Sequence, residues 1–271
     1  MSDLEMQQYL FDVQGYLVIE GVLSAEELTA LNQLVDAQRL PPPEEAHRFG
    51  SAAGRTPEGP GFLGWGRPFC DLLDHPRTMP ILRFRLGDCF RLDRIYGLQM
   101  SAGMTWGPLH ADYGAFALHA GSKPAEYHPF RDNQILNGFA VAAWNLTAAG
   151  PDHGGFCCIP GSHKTNFRLP QKVFDAPDQA SCVVIPDAPA GSVTLFTEAL
   201  THGTAGWRAP HQRRALLYKY CVSHMAWSSR RVRPPKNVEL TPRQQILFSE
   251  PGDPHRFFPS MFAESESEAV S

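Results

Sequence analysis

From Arg91 onward the chain is cut into short apolar runs separated by Gly, Pro and Asp, and this pattern constrains the fold more than any other feature. The runs cover residues 91–100, 139–146, 155–160, 182–186, 193–197 and 214–223. Each is short for a helix, each is bounded by turn residues, and so each reads as a strand. The 23 Gly and 24 Pro of the 271 residues supply many turns, which speaks against a helical bundle. The front of the chain is different. Residues 5–12 fit a short helix, and residues 15–21 fit a strand bounded by glycines. Ser24-Ala25-Glu26-Glu27 is a capping box, opening a helix to about Arg39 with Leu28, Leu31, Leu34 and Val35 on one face. Residues 40–66, rich in Pro, Gly and charge, are expected to form a long loop. Residues 76–86 suggest another helix, and Thr241-Pro242 a last one with Thr as N-cap. A helical front followed by many short strands predicts an α+β, mainly β, sandwich or barrel. One domain over residues 1–263 is expected, with residues 264–271 a polar, disordered tail.

Composition narrows the partners. Hydrophobic residues make up 43% of the chain, enough for a large core, and the net charge is only −4. So small an imbalance suggests no nucleic-acid or membrane-surface partner. No run approaches the roughly 18 apolar residues of a membrane helix. The acidic start, Met1 to Met6, carries no readable secretory signal. None of the six cysteines forms a C-x-x-C pair. Buried free thiols in a reducing cytoplasm are the expectation, and the oligomeric state stays open.

Two short motifs carry the chemistry. His110-Ala111-Asp112 places an imidazole and a carboxylate two residues apart on an extended segment, hence on one side of it. Far downstream comes His202-Gly203-Thr204, and eleven residues past His202 comes Arg213. His110, Asp112 and His202 together can occupy one face of an iron(II) ion and leave positions open for a 2-oxo acid and O₂. An arginine one strand beyond the distal histidine can hold the far carboxylate of 2-oxoglutarate by a two-pronged charged hydrogen bond. Arg213 and Arg214 are adjacent and face opposite ways on a strand. The spacing favours Arg213, and a one-residue slip would favour Arg214.

Taken together, these pieces resemble the phytanoyl-CoA dioxygenase family of Fe(II)/2-oxoglutarate oxygenases. Residues 11–24 resemble its N-terminal strand and helix entry. His110-Ala111-Asp112 matches its H-x-D, and Pro160-Gly161-Ser162-His163-Lys164 matches its loop signature. His202-Gly203-Thr204 with Arg213 matches its distal histidine and co-substrate arginine. The resemblance implies a double-stranded β-helix, a cupin-like jelly-roll buttressed by N-terminal helices. It implies a dioxygenase that uses Fe(II), 2-oxoglutarate and O₂ to oxidise a small organic molecule, usually by hydroxylation, with release of succinate and CO₂. Trp144 and Thr204 would also line the 2-oxoglutarate pocket, Thr204 standing where relatives often carry Ser. The intact carboxylate at Asp112 disfavours the related halogenases, in which a small residue replaces it.

Other readings compete. A cupin-type isomerase or lyase that uses no 2-oxoglutarate would have no need of Arg213. A non-catalytic barrel would usually have lost part of the triad. His163, just after a turn, is expected to be structural. Gln99 or Met100 could face the substrate. Residues 113–138, pinned at both ends near the metal, are expected to form a substrate-recognition lid.

Overall fold

The fold is seen in a computed structural model, which describes residues 3–45, 47–54, 56–111, 130–131, 134–135, 138–165 and 167–263. Asp112, most of the expected lid and the expected tail lie outside these residues. The chain begins with α1 (Asp3–Gln14), β1 (Tyr16–Ile19), α2 (Ala25–Asp36) and β2 (Arg48–Ala52). A 3₁₀ turn at Gly61–Trp65 leads to α3 (Arg67–Asp71), α4 (Met79–Leu86) and the long strand β3 (Phe90–Met100). The two-residue strands β4 (Phe130–Arg131) and β5 (Gln134–Ile135) pair with each other. Then come β6 (Phe139–Asn145), β7 (Gly155–Cys158), a 3₁₀ turn at Ser162–Lys164 and α5 (Gln171–Asp175). The body closes with β8 (Val193–Thr197), β9 (His202–Ala205), β10 (Arg213–Val222) and α6 (Pro242–Ile246).

Six strands form one antiparallel sheet in the order β1-β8-β6-β10-β3-β2, while β7 and β9 form a small second sheet. The pleat assigns the large sheet two separate duties. One face carries Ile95, Ala142, Trp144, Leu195, Leu216 and Tyr218, packed with Leu31 and Val35 of α2, Phe69 of α3 and Leu82 of α4. Two tyrosines tie strand to helix layer there. The Tyr218 hydroxyl donates to the Phe69 carbonyl at 2.7 Å, and the Tyr220 hydroxyl to Leu73 at 2.8 Å. The opposite face carries Tyr96, Leu98, Val141, Ala143, Phe196, Ala215 and Leu217, which cluster with Cys158 of the small sheet. Both faces are thus covered, which explains why β6, β8 and most of β10 are buried residue after residue rather than alternately.

The helical front follows its sequence signals. At α2 both halves of the capping box form: Glu27 N–H donates to Ser24 Oγ, and Ser24 N–H to the Glu27 carboxylate. α1 ends at Gly15, whose φ of +81° only glycine adopts without strain. A Cβ there would also stand 2.5 Å from His163 Nδ1, so the turn admits the loop after β7 only because the side chain is missing.

Two expectations are corrected. Residues 40–66 are not one loop, because β2 adds to the edge of β3 and a 3₁₀ turn follows. Its backbone partner, rather than any run of β-forming residues, makes β2 a strand. Residues 182–186 form no strand, and Val184 only bridges Cys158, whose other edge is already taken by β9. No helix among the described residues is long and apolar enough to cross a membrane.

Candidate active site

The two histidines meet through backbone pairing. Cys158 on β7 is the partner of His202 on β9, and His202 in turn bridges His110 on its other side. The bridge is reciprocal: His110 N–H donates to His202 O and His202 N–H to His110 O, both at 2.8 Å. Residues so paired carry their side chains on one face, and the ring centroids lie 4.5 Å apart. Each ring is oriented by a carbonyl two residues upstream. Nδ1 of His110 is 3.0 Å from Pro108 O, and Nδ1 of His202 is 2.7 Å from Leu200 O. A carbonyl only accepts, so each Nδ1 carries a hydrogen, and Nε2 is the ring nitrogen by which such an imidazole binds a metal. The His202 ring is buried against Phe196 at 4.7 Å and Phe156 at 6.1 Å.

Asp112 lies outside the described residues, and among those described no three His, Cys, Asp or Glu side chains gather into a metal site. The two imidazoles lie on one face with ring centroids 4.5 Å apart, and in the sequence Asp112 stands two residues past His110.

Arg213 and Arg214 part company as the pleat dictates. Arg214 turns outward to α2, where it pairs with Asp36 at 2.6 Å and with Asn32. Arg213 turns to the face shared with Ala215 and Leu217 and is 4% exposed. Its Nη1 reaches Met100 Sδ at 3.4 Å, while its Nε is buried without a hydrogen-bond partner. Burial lowers the guanidinium to about 10, which still leaves it charged at neutral pH. No carboxylate among the described residues neutralises it. A buried cation in that state fits an anionic ligand, since an uncompensated buried charge is costly.

Thr204 follows His202 at the same-side spacing on β9 and pairs in register with Phe156. Trp144 does not join this group. It is the register partner of Leu216, so its ring enters the helix-side core, 5.2 Å from His75. Its neighbours Ala143 and Asn145 take the other face, and the expectation that Trp144 lines the pocket fails on that one-residue parity. Met100 reaches the inner face, whereas Gln99 donates to Pro41 O on the other side.

One contributor was missed in the sequence. Ser162 Oγ accepts from Thr201 N–H at 2.8 Å, and Ile159 N–H donates to Thr201 O at 2.9 Å. The Pro160–Lys164 loop thereby fixes the residue immediately before His202. His163 is structural: its Nε2 lies 2.9 Å from Asp12 O, and Lys164 pairs with the Asp12 carboxylate at 2.8 Å.

The sequence model of the phytanoyl-CoA dioxygenase (PhyH) family matches residues 11–215. The chain belongs to that family. No curated protein matches it. Among solved structures it is similar to HygX from Streptomyces hygroscopicus with nickel and 2-oxoglutarate bound, at 22% identity and a TM-score of 0.64 over 83% of this chain and 88% of that one. EctD from S. alaskensis with bound Fe is similar at 21% identity and a TM-score of 0.58, over 89% and 82% of the two chains. SnoK, a non-heme alpha ketoglutarate dependent carbocyclase from nogalamycin biosynthesis, shares 19% identity with a TM-score of 0.58 over 94% and 93%. At these identities the likeness is one of fold. Membership in the phytanoyl-CoA dioxygenase family rests on the sequence match, which spans both histidines, Asp112 and Arg213.

Proposed function

We propose that the chain is an Fe(II)- and 2-oxoglutarate-dependent dioxygenase that hydroxylates a small organic molecule, and that its two sheets form a double-stranded β-helix. One observation carries the reading. Two carbonyl-oriented imidazoles face each other between the sheets that also enclose Arg213, a buried cation without a carboxylate partner among the described residues. HygX with nickel and 2-oxoglutarate bound and EctD with Fe bound support the choice of metal and co-substrate.

His110, Asp112 and His202 would hold the iron. Arg213 would take the distal carboxylate of 2-oxoglutarate through its planar fork, with the Thr204 hydroxyl assisting. Bound iron with 2-oxoglutarate and O₂ supplies the oxidising chemistry, with succinate and CO₂ released. What the protein adds is positioning. The carbonyls of Pro108 and Leu200 hold the imidazoles in one tautomer and one orientation. Phe156 and Phe196 wall the His202 ring with apolar surface, which keeps water from it. Ser162 steadies the strand entrance through Thr201.

The test is succinate formation from 2-oxoglutarate by the Fe(II)-loaded protein, with candidate substrates followed by mass spectrometry. Substrate-stimulated succinate and a product heavier by one oxygen are expected. A product that has lost two hydrogens instead would favour ring closure, the chemistry named for SnoK. Absence of succinate under all conditions would count for an isomerase, a lyase or a binding barrel.

A further inference from the structure

The peptide between Leu200 and Thr201 is held at both ends. Its carbonyl lies 2.7 Å from Nδ1 of His202 and accepts that ring's hydrogen bond. Its N–H donates to Ser162 Oγ at 2.8 Å, and both Ser162 and Thr201 are buried. In a trans peptide these two groups point opposite ways across one rigid plane. A hydroxyl that holds the N–H therefore sets where the carbonyl points, and with it where the His202 ring stands. The bond on the N–H side also polarises the peptide, which strengthens its carbonyl as an acceptor.

The next peptide, from Thr201 to His202, is held as fully. Ile159 N–H donates to Thr201 O at 2.9 Å, and His202 N–H donates to His110 O at 2.8 Å. Those of Ile159 and His110 are backbone contacts, and the contact to Nδ1 is made by His202 itself. Ser162 Oγ is thus the partner that a substitution can remove without touching either histidine. Its own mount is rigid. Gly161 takes a φ of +77°, which turns the chain so that Ser162 N–H donates back to Ile159 O at 3.1 Å. The turn is tied to the end of α1, since Gly161 N–H donates to Gln14 O at 2.9 Å and Lys164 pairs with Asp12 at 2.8 Å. The chain of contacts starts outside the two sheets, at α1, and ends on an imidazole between them.

We propose that Ser162 is a positioning residue for the iron centre: through the Leu200–Thr201 peptide its hydroxyl aims the Nε2 atom of His202 and raises the basicity of that ring. The inference rests on the reading of His202 as an iron ligand, and it adds a residue that touches neither metal nor co-substrate. Groups that orient a ligating histidine through its other ring nitrogen govern metal affinity by about 10- to 100-fold. Ser162 stands one peptide farther out, so an effect of about tenfold, the lower end, is expected.

Anaerobic Fe(II) affinity is measured on the full chain, without 2-oxoglutarate, by competition with a chromophoric chelator. Wild type is compared with Ser162→Ala, Ser162→Cys, Ser162→Thr and Tyr218→Phe. The last loses a buried hydrogen bond on the helix-covered face of the sheet and so reports what lost stability alone does. Ser162→Ala should bind Fe(II) about tenfold more weakly. Ser162→Cys, a weaker acceptor in the same place, should fall between it and wild type. Ser162→Thr, which keeps the hydroxyl, and Tyr218→Phe should bind as wild type does. Imidazole ¹⁵N spectra of the metal-free protein give a readout independent of iron. The His202 hydrogen should sit on Nδ1 in wild type and Ser162→Thr, and shift toward Nε2 in Ser162→Ala. The proposal is overturned if Ser162→Ala keeps wild-type affinity, if Tyr218→Phe loses as much, or if Ser162→Thr is as weak as Ser162→Ala. Should Ser162→Ala not fold, Ser162→Cys is judged in its place by the same criteria. A wild type that binds no Fe(II) would remove the oxygenase reading, and the ¹⁵N spectra would then decide alone: a displaced Nδ1 hydrogen in the variant upholds the positioning role, and an unmoved one overturns it.

Discussion

At the scale of single residues, one-step parity decides what each side chain can do. Arg213 and Arg214 were separable in the sequence only through the spacing from His202, and the pleat sends the first inward and the second to Asp36 on α2. Arg213→Ala should raise the 2-oxoglutarate requirement roughly 30- to 150-fold, the worth of a charged two-pronged hydrogen bond of about 2–3 kcal/mol. Arg214→Ala, which removes a partly exposed pair, should change it little. Titration of both variants with 2-oxoglutarate decides, and a larger effect at Arg214 would contradict the placement. Trp144 shows the limit of such reading. A motif match carries a residue's position, but the face it occupies depends on register with β10, and Trp144 falls one step from Ala143 on the inner side. His163 was legible as structural, and its burial has a consequence for pH. Burial, the main cause, brings its pKa down to about 4. An unfolded histidine titrates near 6.5, so as pH falls from about 6.5 to about 4 the unfolded chain takes a proton that the folded chain refuses. That should cost up to about 3 kcal/mol of stability, all of it present above pH 6.5. Melting temperatures of wild type and His163→Gln between pH 7 and 4 should show a shallower decline in the variant, and parallel declines would refute the assignment.

Elements were legible where local chemistry makes them. The capping box of α2 and the Thr241 cap of α6 form as their sequences demand, because an N-cap needs only residues three apart. β2 was not legible, since an edge strand draws its hydrogen bonds from a neighbour remote in sequence, here Gly97 and Leu98 of β3. The same pairing explains a glycine in mid-strand. Phe49 is the register partner of Gly97, and its ring lies over the glycine before stacking on Trp65 at 5.9 Å. A Cβ on Gly97 would stand 2.1 Å from that ring, so Gly97→Ala must displace Phe49. The expected loss is about 1–3 kcal/mol, measured by urea unfolding, together with loss of the Phe49–Trp65 stack in near-ultraviolet circular dichroism. Unchanged stability would mean that β2 lies farther from β3.

The molecule as a whole divides its labour between the two faces of one sheet. Helices cover one face and give stability, while the small sheet covers the other and brings His202 and His110 over the same interior that holds Arg213. That division was foreseeable in outline, as a helical front and a stranded body. The closing contact was not, because the His110–His202 bridge joins residues far apart in the chain by backbone hydrogen bonds that any sequence could make. Anaerobic titration of the protein with Fe(II) and 2-oxoglutarate, followed by the visible charge-transfer absorption of the iron–oxo-acid chelate, tests this arrangement most directly. Wild type should develop the band, His202→Ala should lose it, and Arg213→Ala should develop it only at much higher 2-oxoglutarate. A wild-type protein with no band, or a His202→Ala protein that keeps the full band, would contradict the placement of iron and co-substrate between the sheets.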